Sequence, residues 1–170
     1  MATVTVLFHD QESAERAYKL ALDSGYSRND IDVIMSEETR KKYYGNHTTL
    51  EVEAGSKAAE GAAIGGALGA TVGAIAAAIA AVGTVIALPG LGLVIAGPLA
   101  AGIAGAGAGG VGAGLIGALV GWSIPEDTIK EYESGLHDGG ILVGVNAKTD
   151  EDRLRFKNDW ATYNGRLIHG

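Results

Sequence analysis

The 170-residue chain contains no cysteine, which excludes disulfide frameworks, thiol catalysis and cysteine-ligated metals. It also lacks a basic excess. A net charge of −7 argues against non-specific binding to nucleic acid or to an anionic membrane surface, because both need cations to meet phosphate. The start, Met1-Ala2-Thr3-Val4, has no basic region and reaches His9-Asp10 before an apolar run of signal-peptide length, so an amino terminus kept in the cytoplasm is expected. The most informative absence is local. Residues 61–122 hold no Asp, Glu, Lys, Arg or His; all 13 Lys and Arg and all 20 Asp and Glu lie elsewhere. The other 108 positions therefore have the composition of an ordinary soluble domain.

Within those 108 positions the patterns are regular. Residues 3–8 alternate polar and apolar side chains and predict a strand. Asp10 caps a predicted helix whose Ala14, Ala17, Tyr18, Ala21 and Leu22 recur at helical spacing until Asp23-Ser24-Gly25 stops it. Residues 31–35 form a second apolar strand, and Ser36 then caps a short helix over 37–44. That helix has acids first and Arg40, Lys41 and Lys42 last, as the helix dipole favours. Residues 46–55 resemble a linker. The pattern resumes at Ser123-Ile124-Pro125-Glu126, where Ser123 and Glu126 have capping-box spacing. That helix runs to about His137, a buried-type strand covers 141–145, and Thr149-Asp150 opens a helix carrying Leu154, Phe156 and Trp160. A last strand covers 166–169. Gly139 and Gly144 are read as a tight turn and a close packing contact.

Two such halves predict an α+β, ferredoxin-like sandwich: a four-stranded sheet with helices on one face. Its first half is residues 1–56 and its second 123–170, with residues 57–122 inserted between them as a Gly/Ala-rich helical hairpin. The uncharged block contains 18 Gly, 19 Ala and 21 larger apolar residues, far beyond the roughly 20 residues of one helical crossing. Pro89-Gly90-Leu91-Gly92 and Gly97-Pro98 divide it into arms over 57–88 and 98–122. Each arm would be roughly 36 to 48 Å long, enough to span a bilayer with tilt.

Small residues repeat every fourth position. Gly61, Gly65, Gly69 and Gly73 form one row, continued by Ala77 and Ala81. Gly97, Ala101, Gly105, Gly109, Ala113, Gly117 and Gly121 form another. Such rows lie along one helix face and let a second backbone approach closely, as in small-xxx-small contacts between membrane helices. Ile64, Leu68, Val72, Ile75, Ile79, Val82 and Ile86 form a bulky row beside the first seam. Both termini and every Lys and Arg lie on one side of the hairpin, so the positive-inside rule places both soluble halves in the cytoplasm. A hairpin buried inside a soluble homo-oligomer is the alternative.

No catalytic constellation emerges. His9, His47, His137 and His169 have no metal-ligand spacing among them. The glycine runs lack the Lys-Ser/Thr of a phosphate loop and the distal acid of a dinucleotide site. Neither a cofactor nor a small-molecule substrate is identified, and a ligand sensor built on the sheet would have no specific pocket to point to.

Residues 33–40 (Val-Ile-Met-Ser-Glu-Glu-Thr-Arg), the central glycine zipper, Ile124-Pro125-Glu126-Asp127, Tyr132-Glu133-Ser134-Gly135 and the run from Gly139 to Val145 resemble the bacterial YflT-like, heat-induced general stress protein family. The resemblance follows segment order over nearly the whole chain. It implies a bacterial stress-response protein without known catalysis and supplies no catalytic residues. The combined expectation is a non-enzymatic protein that homo-oligomerises through the glycine seams, in contact with the lipid of the inner membrane.

Overall fold

A computed structural model describes residues 2–44, 73–81, 85–88, 91–105, 119 and 122–170. The order is β1 (Ala2–Phe8), α1 (Gln11–Asp23), a 3-10 turn (Arg28–Asp30), β2 (Ile31–Ser36), α2 (Glu37–Tyr44), α3 (Ala74–Ala81), β3 (Val85–Leu88), β4 (Leu93–Ala96), α4 (Pro98–Gly105), α5 (Glu126–His137), β5 (Ile141–Ala147), α6 (Asp150–Thr162) and β6 (Arg166–His169). The fold is α+β. One antiparallel sheet has the order β3-β4-β2-β5-β1-β6, and β5 lies antiparallel between β1 and β2.

The helix starts show why these segments fold locally. Asp10 accepts a hydrogen bond from the Ser13 amide at 2.7 Å, Ser36 Oγ from the Thr39 amide at 3.0 Å, and Thr149 Oγ1 from the Asp152 amide at 3.0 Å. Each side chain satisfies a first-turn donor that has no partner within its helix. The capping box expected at Ser123 does not form. Ser123 sits at φ 57°, and α5 starts after Pro125, whose fixed φ of −59° suits a helix entrance without a side-chain cap.

Alternation along the strands divides the core in two. On one face Val4, Val6, Phe8, Val33, Val143 and Val145 pack against Ala14, Ala17 and Tyr18 of α1 and Phe156 and Trp160 of α6. Trp160 is fully buried, and its indole donates to the Ala17 carbonyl at 3.2 Å. On the other face Leu7, Ile34 and Leu142 meet Ile129, Tyr132 and Leu136 of α5. Tyr132 donates to the Leu167 carbonyl at 2.5 Å and accepts from Thr5 at 3.0 Å. Burial pushes its phenol up to about 12. Gly139 makes a turn at φ 96°, and a Cβ at Gly144 would stand 3.0 Å from the Trp122 ring.

Two expectations need correction. Among the described residues the sheet has six strands and helices cover both faces, because α5 supplies an amphipathic face with Ile129, Tyr132 and Leu136 buried. The described part of the insertion is not a plain helical hairpin. Its first arm is helical over Ala74–Ala81 and then becomes strand at Val85–Leu88, paired with Leu93–Ala96. β4 continues the sheet by pairing with β2, with Ile34 opposite Ile95. The β-branched pairs Val85-Ile86 and Val94-Ile95 give both segments strand propensity, and β4 takes its place along the edge of β2.

Truncating the largest buried side chain tests this packing. Trp160→Ala should lower unfolding free energy by about 3–5 kcal/mol, read as a shift of the urea midpoint at unchanged slope.

Candidate functional site: the seat of the insertion

The insertion grips the β2 edge from both sides. α3 joins the core on the α1 face, where Ile75 and Ala78 are buried. α4 joins the α5 face, where Ala100 and Ile103 are buried beside Leu93 and Ile95. Each helix is held at its first turn by a buried acid of the core.

On the α1 face the acid is Glu15, which is completely buried. Its Oε2 accepts from the Ile75 amide at 3.0 Å, with the Gly73 and Ala74 amides turned toward the same carboxylate. The Tyr44 hydroxyl of α2 lies beside this group without closing a well-formed hydrogen bond, and both Glu15 Oε1 and Tyr44 Oη have no partner of good geometry. Desolvation raises the Glu15 carboxyl above its usual range, and the amide and phenol contacts only partly offset it. Desolvation likewise raises the Tyr44 phenol, with the neighbouring Glu15 charge adding to the rise.

On the opposite face the acid is Asp32, 1% exposed in the middle of β2. Oδ1 accepts from the Leu99 amide at 2.7 Å, whereas Oδ2 has no partner among the described residues. Leu99 supplies the first available N–H of α4, because Pro98 has none. Burial pushes the Asp32 carboxyl up to about 7, with the single Leu99 hydrogen bond pulling the other way. Tyr18 of α1 feels the charge of both acids, and its buried hydroxyl is also unpartnered among the described residues. Burial pushes its phenol up to about 12; the charge of Arg28 opposes that rise, while Glu15 and Asp32 add to it.

Gly97 makes the approach of α4 to β2 possible. Its φ is 119°, and a Cβ there would fall 2.6 Å from both Asp32 Oδ1 and the Ile31 carbonyl. Glycine therefore serves here in contact with the chain's own strand. Of the other small-row glycines, Gly73 directly precedes α3 and Gly105 ends α4. Gly61, Gly65, Gly69, Gly109, Gly117 and Gly121 lie outside the described residues. Sequence reading passed over Glu15 and Asp32. An acid at a buried helix position and one inside an apolar strand were the available signals.

The polar surface is arranged elsewhere. His9 and His137 line a cleft of about 350 Å³ with Ser36, Thr39, Lys42 and Asp138. A neighbouring cleft of about 310 Å³ carries Glu131, Ser134 and Arg166 and shares His9 and Asp138 with the first. His169 lies on β6 opposite Thr5, and His47 is outside the described residues. Among the described residues no group of three His, Asp or Glu side chains could hold a metal ion, and no helix is long and apolar enough to cross a membrane.

Gly97→Ala forces a side chain into a left-handed conformation and onto Asp32. It should cost roughly 1–3 kcal/mol from backbone strain alone and raise amide exchange in α4 and β4 before it affects β1 or β5, measurable by hydrogen-exchange mass spectrometry. Comparison with protein-family models, curated proteins and solved structures finds no match to this chain, so a functional reading rests on the composition of the insertion and the geometry of its seat.

Proposed function

We propose that the protein is a non-enzymatic, stress-associated protein that homo-oligomerises through its Gly/Ala-rich insertion, the insertion being lodged in the bacterial inner membrane with both termini cytoplasmic. The observation that carries this reading is the uncharged run of residues 61–122 with small residues every fourth position. Such seams stabilise helix pairs through close backbone contact where water is absent. The resemblance of residues 33–40, the central glycine zipper and residues 124–127, 132–135 and 139–145 to the YflT-like general stress proteins supports the stress association. A ferredoxin-like core fits the strand order β2-β5-β1-β6 with α1 and α6 on one face. In this reading the core is a cytoplasmic platform, and its sheet edge anchors the inner end of the insertion.

A second reading, a soluble ring, shell or filament with insertions pooled inside, draws support from one observation. Ile75 of α3 and Ile103 of α4 are already buried against the chain's own core, so at least this part of the insertion is solvated by protein.

Gly69→Leu and Gly109→Leu should each reduce oligomer mass by native mass spectrometry while Trp160 fluorescence stays native; unchanged mass in both would sink the glycine-seam reading. Carbonate washing separates the two assemblies, since the lipid-lodged form stays with the membrane pellet and the pooled form leaves with the supernatant.

A further inference from the structure

Glu15 and Asp32 are the only buried acids among the described residues, and they sit on opposite faces of the sheet. They share one arrangement. One carboxylate oxygen accepts a first-turn amide of an insertion helix, and the other oxygen has no partner. Both acids belong to the core and both amides to the insertion, so each hydrogen bond crosses the same junction. A buried carboxylate answered only by neutral donors, the Leu99 amide at Asp32 and the Gly73, Ala74 and Ile75 amides with the Tyr44 phenol at Glu15, is poorly compensated when ionised and better tolerated when protonated.

We infer that Glu15 and Asp32 form a proton-controlled latch: protonated, they hold α3 and α4 against the core, and on losing their protons they favour release of the insertion's inner end. Released, the apolar helices are free for the self-association proposed above, and in that respect the latch rests on that proposal. The groups that face the latch are Tyr18 on α1, which stands near both acids with Arg28 beside it, and Tyr44 on α2, which faces Glu15. Both phenols are raised and stay neutral throughout the range concerned. Among the described residues no charged side chain compensates Asp32, and the counterweight to its burial is the Leu99 amide.

The sign follows from where each form binds its proton. Docked, Asp32 titrates at about 7; released into water it would titrate near an ordinary aspartate, about 4. The contribution to docking is therefore complete below about pH 4, declines as pH rises, and is gone above about 7. Across that window the opening equilibrium should rise by up to tenfold per pH unit and then level off. Glu15, raised in the same direction, steepens the dependence.

The test is native-state hydrogen exchange of the full chain from pH 5 to pH 8.5, corrected for intrinsic exchange rates. The inference expects the opening constants of α3, β4 and α4 amides to climb with pH and level off, while β1 and β5 amides stay flat. Asp32→Asn and Glu15→Gln each keep an acceptor oxygen for Leu99 or Ile75 and cannot ionise. Asp32→Asn should flatten the α4 profile, Glu15→Gln the α3 profile, and the double variant both. A flat wild-type profile, or a slope unchanged in the double variant, would overturn the latch. Should either variant fail to fold, the wild-type profile and the other variant still decide. Native mass at pH 5.5 and pH 8 is read separately. A steep exchange profile with invariant oligomer mass keeps the latch and removes its link to assembly.

Discussion

A carboxylate in the middle of a buried strand must be answered by a hydrogen-bond donor, and in β2 that donor comes from the insertion. Asp32 lies between Ile31 and Val33, with Ile34 beyond, in a strand whose six residues are all buried. Its single answer, the Leu99 amide, constrains everything before it. The amide must reach the carboxylate 67 residues away in sequence, so β4 must pair along β2 in the register that puts Ala96 opposite Val33. The chain must then turn at once toward the sheet face. Gly97 permits that turn, and Pro98 makes Leu99 the first donor of α4.

The same constraint operates on the other face with different elements. Glu15 belongs to a helix already packed on the sheet through Ala14, Ala17 and Tyr18, so its buried position follows from the fit of α1. The insertion answers it by beginning α3 there. Hydrophobic contacts do not distinguish this seat from other apolar grooves, since Ile75 and Ile103 would be content against many surfaces. Selection comes from the polar groups, because misplacing α4 takes the Leu99 amide from Asp32 and misplacing α3 takes the backbone amides from Glu15, either of which costs more than a lost methyl contact.

Much of the core was legible from sequence. The β-branched alternation of residues 3–8, the Asp10 and Ser36 caps, and the Gly139 turn each carry a local signal whose physics is confined to a few residues, and each element formed where that signal pointed. The insertion was less legible. Ile75, Ile79 and Ile86 fit one helical row, yet Ile86 belongs to a strand. The row could not reveal an open β2 edge from a distant segment, and that edge pairs with β4, on which β3 is built. Glu15 was hidden differently. The helical spacing of Ala14, Ala17 and Tyr18 puts it beside the buried face, but its donor, the Ile75 amide, comes from 60 residues away and has no local signal. The α5 face was readable in part, because Ile129, Tyr132 and Leu136 share a stripe, but its placement on the second sheet face depends on the sheet having two faces to cover.

The insertion's composition dictates the kind of contact that can hold it. Residues 61–122 offer two threonine hydroxyls, one indole N–H and otherwise only backbone polar groups. Such a segment has no side-chain cation with which to answer an acid. Backbone N–H groups within strands and helix interiors are occupied, so the free ones are concentrated in the first turn of each helix. A core that holds an uncharged Gly/Ala-rich segment by polar contact therefore needs acceptors aimed at helix starts, and Glu15 and Asp32 are so aimed. The relation also works in reverse. Helices of eight residues that lack charge are marginal alone, and α4 also contains glycine. The buried acid whose carboxyl oxygen positions each one also stabilises the turn that nucleates it, so docking and helix formation at the seat are one event.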